Sequence, residues 1–221
     1  MLKQKHQHFL GKYAEPDNHY SYDTAPIAYL NSSKVTPEIL HNALDHRDSS
    51  VRLAVVEHPK ATPQILYKAM NDDTSKVRQL AVEHENATPE VLYKGLDDKD
   101  RWVKYSVFEH PNATPEILHK ALSDKDWSLR QSAVSHPNAT PEILHKALTD
   151  EHVWVRSSAV IHPNATPEVL HKGLNDKDFR VRETASSHLN ATPEMLHKAL
   201  NDESIDVRNA ASKNLKDKGL L

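Results

Sequence analysis

The chain has 221 residues, 28 Lys+Arg against 31 Asp+Glu, a formal net charge of -3, no cysteine and only 4 glycines. Lack of cysteine excludes a disulfide framework, a thiolate nucleophile and a cysteine-ligated cluster. The near-neutral charge argues against a general polyanion binder, and so few glycines leave no phosphate-cradling loop.

In chain order, residues 1–22 match nothing later and are expected to form an extension. Their start, MLKQKHQHFLGKYAE, has no apolar run long enough for a signal peptide. No later segment approaches the roughly 20 apolar residues of a membrane span. A cytoplasmic location is the resulting expectation. Residues 23–35, DTAPIAYLNSSKV, read as a degenerate half-repeat that forms an N-terminal cap, with Ala28, Tyr29 and Leu30 aligned on Ala54, Val55 and Val56.

From Thr36 a 26-residue unit recurs seven times, restarting at Thr62, Thr88, Thr114, Thr140, Thr166 and Thr192. In Thr114–Ala139, TPEILHKALSDKDWSLRQSAVSHPNA, Thr114 is a good N-cap, Pro115 suits the first helical position, and Glu116 faces the positive end of the helix dipole. Ile117, Leu118, Ala121 and Leu122 make one apolar stripe, so a first helix is predicted over about Pro115 to Leu122. Asp124-Lys125-Asp126 breaks the chain, and either Asp can cap a second helix over roughly Trp127 to Ser135. His136-Pro137-Asn138 stops it, since a residue before proline avoids the helical region. Neither helix is stable alone, so neighbours must stack to bury their apolar sides. Residues 36–213 therefore predict an all-α solenoid of seven two-helix repeats. Residues 214–221, where Asn214-Leu215-Lys216 replaces the stop, predict a C-terminal cap and tail.

The signature D-x-D-x-x-V-R-x-x-A-V-x-H-P-N-x-T-P-E-x-L over residues 36–213 resembles the leucine-rich repeat variant family, and its Asp…Val-Arg half resembles HEAT repeats. The resemblance implies a right-handed superhelix of alternating helices that serves as a binding surface, and it leaves room for one helix of each pair to be 3₁₀. The repeats here are slightly longer than that family's, which favours two α-helices. The iron–sulfur region of the family's founding member needs cysteines that are absent here.

Several residue types recur in columns. Arg52, Arg78, Arg130, Arg156, Arg182 and Arg208, with Lys104 in the remaining copy, are expected to bond Asp72, Asp98, Asp124, Asp150, Asp176 and Asp202 between repeats; phosphate binding is the alternative. His58, His84, His110, His136, His162 and His188 form a second column, expected at the repeat junction on carbonyls that end the second helix. Another column is His41, His119, His145, His171 and His197, with Tyr67 and Tyr93. Repeats about 8–10 Å apart cannot share a zinc ion, so no metal and no cofactor is expected. Lys68, Lys94, Lys120, Lys146, Lys172 and Lys198 mostly follow a Glu by four residues and read as a self-neutralised, solvated stripe.

Positions that vary within this frame are the informative ones. Those equivalent to 127, 128 and 131 hold all three tryptophans. Arg101, Trp102, Tyr105, Trp127, Trp154, Phe179 and Arg180 are the expected partner-binding residues, being the types that dominate interface hot spots. The competing reading has these rings cover the seam between neighbouring second helices. No nucleophile–base constellation stands out, so no catalytic residue is assigned. The expectation is a non-enzymatic scaffold for a protein or peptide. Two alternatives are a nucleic-acid-binding, HEAT-like protein akin to DNA glycosylases of that type, and a structural part of a larger, self-associating assembly.

Overall fold

The computed structural model describes residues 25–30, 32 and 34–221. The expected extension, residues 1–22, and the first residues of the expected N-terminal cap lie outside them. The described residues are all-helical, with no strand. Helix α1 (Ala25–Leu30) precedes seven pairs. The first helices of the repeats are α2 (Pro37–Ala43), α4 (Pro63–Ala69), α6 (Pro89–Leu96), α8 (Pro115–Ala121), α10 (Pro141–Ala147), α12 (Pro167–Gly173) and α14 (Pro193–Ala199). The second helices are α3 (Ser49–Val56), α5 (Ser75–Glu83), α7 (Arg101–Glu109), α9 (Trp127–Ser135), α11 (Val153–Ile161), α13 (Phe179–Ser187) and α15 (Ile205–Asp217). Both helices of every pair are α-helical. The chain forms two compact halves, one ending at Asn112 and the other beginning at Ala113.

Each first helix starts where its Thr-Pro pair dictates. The hydroxyls of Thr36, Thr62, Thr114, Thr140, Thr166 and Thr192 accept a bond from the third helical N–H at 3.3–3.5 Å. The Thr88 hydroxyl instead serves Glu90, whose carboxyl it holds below the usual range. Four second helices are capped by aspartate: Asp48, Asp100, Asp126 and Asp178 each accept from the backbone N–H two residues on. In each half the apolar sides meet in a continuous core, for example Val55, Leu66, Val82 and Leu92 in the first and Leu118, Val134, Leu144 and Val160 in the second, all fully buried.

Between repeats the arginine column is the main polar connection. Arg52, Arg78, Arg130, Arg156 and Arg182 grip Asp72, Asp98, Asp150, Asp176 and Asp202 of the following repeat in a two-pronged fork, Nε to one oxygen at 2.6–2.8 Å and Nη2 to the other at 2.9–3.0 Å. The third nitrogen, Nη1, donates to two carbonyls of its own repeat's loop, as Arg156 does to Asp150 and Glu151. The gripped carboxylates also accept a backbone N–H at 2.8–2.9 Å. Burial alone would raise the Asp98 and Asp150 pKa values; the arginine fork and the backbone N–H outweigh it and hold both carboxyls below the usual range. These arginines are buried and their charges spent, so the sequence expectation of a structural ladder holds and phosphate binding by this column does not.

The histidine column makes a second ladder. In each of the six histidines Nδ1 accepts the backbone N–H two residues on, at 3.0–3.1 Å. Nδ1 therefore carries the lone pair and Nε2 the proton. Nε2 of His84, His110, His162 and His188 donates to the carbonyl of the preceding column member at 3.0–3.3 Å. The acceptor is the residue just after the second helix, close to the expected site. These bonds also bear on how the second helix stops. His84 and His188 precede Glu85 and Leu189, not proline, yet adopt the same extended backbone as His136. The imidazole bridge suffices to stop the helix. Asn86, Asn112, Asn138 and Asn164 add a third ladder, each amide donating to an alanine carbonyl one repeat earlier at 2.9–3.2 Å.

The two ends depart from the repeat. Leu30 of α1 is fully buried, and its backbone bonds His58. Asn214 stands in the histidine column and donates to the carbonyls of Ser186 and His188, both at 2.9 Å. With no imidazole to bridge, α15 runs on to Asp217.

Breaking one fork leaves a buried carboxylate uncompensated. Arg156→Ala should cost about 3 kcal/mol in urea denaturation. Arg156→Lys should recover little, since an ammonium cannot span the carboxylate and the loop carbonyls; near-wild-type stability of Arg156→Lys would contradict this. Acid should act first on the histidines. Burial holds His58 and His188 below their ordinary value. The unfolded chain therefore binds protons first as pH drops through about 6.5, and stability declines from there downward. A melting temperature flat to the carboxylate range would refute the bridging role.

Candidate interaction surface

The varying positions sit where the frame leaves second helices uncovered. In the N-terminal half, Arg101 opens α7 and is exposed, and Trp102 is 65% exposed. Trp102 packs edge-on against Tyr105, with ring centroids 6.3 Å apart at 76°. Both are held in place: Asp100 caps the Trp102 N–H at 2.8 Å, and the Tyr105 hydroxyl bonds Glu109, which raises the phenol's pKa.

In the C-terminal half the rings divide into two groups. Trp154, at 47% exposure, lies beside the Arg180 guanidinium, 5.7 Å from the ring centroid; the same guanidinium is 6.0 Å from the Phe179 ring. Arg180 is fixed by Asp178 through Nε and Nη2 at 2.9 and 2.7 Å, a fork that lowers the Asp178 pKa to about 2. Trp127 belongs elsewhere. It stacks on His152 of the next repeat at 3.9 Å and 13°, leaving it 39% exposed. Trp127 is thus half seam and half surface, whereas Trp154, Phe179 and Arg180 form one exposed cluster. Between helices the face is knit by Gln131 to Ser158 and Ser157 to Thr184, each at 3.2 Å.

Two features escaped sequence reasoning. His152 occupies the capping position that aspartate fills before α9 and α13, but makes no side-chain cap bond, and its buried Nδ1 has no partner. The ring has turned onto Trp127 instead. Ile161, 65% exposed, lies seven residues after Trp154 and hence on the same face of α11. Its column otherwise reads Glu57, Glu83, Glu109, Ser135, Ser187 and Lys213, so comparison between copies could have found it.

The lysine column needs correction. Lys146 and Lys172 are not paired with Glu142 and Glu168 of their own helices. Their ammonium groups reach Nε2 of His119 and His145 one repeat earlier, at 3.2 and 2.6 Å, while Lys94 lies 4.6 Å over the Tyr67 ring. The long stem lies against the neighbouring repeat, where an acceptor is already held in place.

Among the described residues no group of three or more His, Asp or Glu is placed to hold a metal ion. No described helix is long and apolar enough to cross a membrane. What the surface offers is flat aromatic area, a fixed guanidinium and small hydroxyl side chains.

A family model described as "HEAT repeat associated with sister chromatid cohesion" matches residues 194–211. No curated protein sequence matches the chain. Among solved structures, a leucine-rich repeat variant with a novel repetitive structural motif superposes with TM-score 0.67 at 22% identity, covering 97% of this chain and 82% of that one. Cex1p superposes with TM-score 0.54 at 15% identity, covering 99% of this chain and 52% of that one, so the chain spans about half its length. The chain is a tandem helical-repeat protein with HEAT-like character. Its fold is that of the leucine-rich repeat variant.

His152→Asp should supply the missing cap and raise stability by about 1 kcal/mol. It should also uncover Trp127 and red-shift the tryptophan emission. Unchanged stability and emission would mean that the stack neither costs a cap nor covers the indole.

Proposed function

We propose that this chain is a non-enzymatic interaction scaffold that binds a protein or peptide on its exposed second-helix faces. The binding residues are Arg101, Trp102 and Tyr105 in the N-terminal half and Trp127, Trp154, Phe179 and Arg180 in the C-terminal half. One observation carries the reading. The recurring Arg, Asp, His and Asn side chains are largely spent on bonds between repeats, while large rings stay 38–65% exposed at varying positions. Exposed aromatics on a polar, self-satisfied frame mark contact surfaces better than scattered apolar residues do. The likeness in fold to other helical-repeat proteins supports the same reading. Nucleic acid fits less well, because five of the arginines that could meet phosphate are closed on carboxylates and the net charge is -3.

The test is the triple variant Trp102→Ala, Trp127→Ala, Trp154→Ala as bait in affinity capture, beside the wild-type protein. The rings lie outside the core, so the variant should melt cooperatively near the wild-type temperature while its captured partner is lost. Undiminished capture would contradict the proposal, as would a gel shift showing tight, ring-dependent nucleic-acid binding.

A further inference from the structure

The exposed second-helix faces of the two halves differ in charge. The column that closes these helices reads Glu57, Glu83 and Glu109 in the N-terminal half, all exposed, and carries no carboxylate in the C-terminal half. Among the described residues no lysine or arginine pairs with these three glutamates. Two of them are held in place by neutral partners. Oε1 of Glu83 accepts from Gln79 Nε2 and from Ser106 Oγ, each at 2.7 Å, and Glu109 accepts from the Tyr105 hydroxyl. Glu109 lies seven residues after Trp102, on the same side of α7, with Tyr105 between them. The cations Lys76 and Arg101 open α5 and α7, at the far end of each helix from the glutamate. The equivalent ring of the C-terminal half, Trp154, has the chain's own Arg180 guanidinium 5.7 Å from its centroid. No cation of the described residues lies over Trp102.

We infer, resting on the function proposed above, that the second-helix face of the N-terminal half docks an extended, arginine-rich segment of a partner protein. One guanidinium lies on the Trp102–Tyr105 pair and others meet Glu109, Glu83 and Glu57. Charge complementarity identifies the occupant: rings with no cation over them stand beside carboxylates with no counter-charge. Arginine suits both, since its plane stacks on an aromatic face and its edge fits a carboxylate. Spacing agrees. Repeats recur about 8–10 Å apart, and three extended residues span about 10 Å, so an arginine at every third position meets one glutamate per repeat. Nucleic acid would bring phosphates against three carboxylates. A second copy does not fit either, because no two arginines of this chain are three residues apart.

The probe is a terminally blocked peptide of repeated Arg-Gly-Ser units, titrated at low salt into the ¹⁵N-labelled full chain while the indole N–H signals are followed. The Trp102 signal should shift saturably and the Trp154 signal should stay. Glu83→Gln with Glu109→Gln should weaken binding about fivefold, as two exposed charge pairs are lost. Both substitutions keep an acceptor for Ser106 and Tyr105. Removing the same charge from the other half, by Glu142→Gln with Glu168→Gln, should leave the affinity unchanged. A peptide with citrulline in place of arginine should not bind the wild-type chain, a comparison that needs no variant to fold. No saturable shift at Trp102, equal binding by the citrulline peptide, or equal losses from the two glutamate pairs overturns the inference. Failure here is distinct from failure of the proposed function. A partner lost by the triple tryptophan variant, together with peptide binding indifferent to Glu83 and Glu109, sinks this inference alone.

Discussion

Everything in this structure depends on the two-pronged grip of an arginine on an aspartate of the following repeat. A guanidinium has five N–H donors in a rigid plane, and here each grip uses one edge for the carboxylate and the remaining nitrogen for its own loop. One side chain thus fixes the shape of a loop and the position of the next repeat together. Burial makes this exacting. Once out of water, neither partner can lose the other cheaply, so a fork once formed holds both its arginine and its aspartate. The neutral histidine bridges and the asparagine amides add further cross-repeat bonds that a short two-helix unit could not do without.

Because the frame consumes its own polar groups, the surface can vary without affecting the fold. The positions equivalent to 127, 128 and 131 are all half-buried or exposed, and the seven copies differ freely there. Trp154, Phe179 and Arg180 show what this freedom permits: three side chains from two repeats gathered in one exposed cluster, with the arginine's charge balanced by Asp178. Trp127 shows its limit. A ring in the same column can be drawn half into the seam by the residue that faces it, and His152 does so at the cost of a helix cap.

Most of the fold was legible in the sequence because its signals are local and repeated. Thr-Pro marks each first helix, aspartates cap four of the second helices, and the predicted second helix of the fourth repeat, Trp127 to Ser135, matches the observed span. The Arg–Asp pairing was legible because a planar guanidinium and a carboxylate recur at a fixed spacing from repeat to repeat. The Trp127–His152 stack and the reach of Lys146 and Lys172 were not. They depend on distances between repeats, which the order of residues does not fix, and on side-chain rotations that several rotamers could satisfy. The imidazole tautomer was hidden for the same reason: only the placement of a backbone N–H against Nδ1 decides it.

The most direct test of this account is a double-mutant cycle on Arg130 and Asp150, using Arg130→Gln, Asp150→Asn and both together. If the fork joins the repeats, the coupling energy should reach about 2 kcal/mol, well above the 0.2–1 kcal/mol typical of roughly comparable exposed pairs. Additive losses within about 0.5 kcal/mol would mean that apolar stacking alone holds the repeats together.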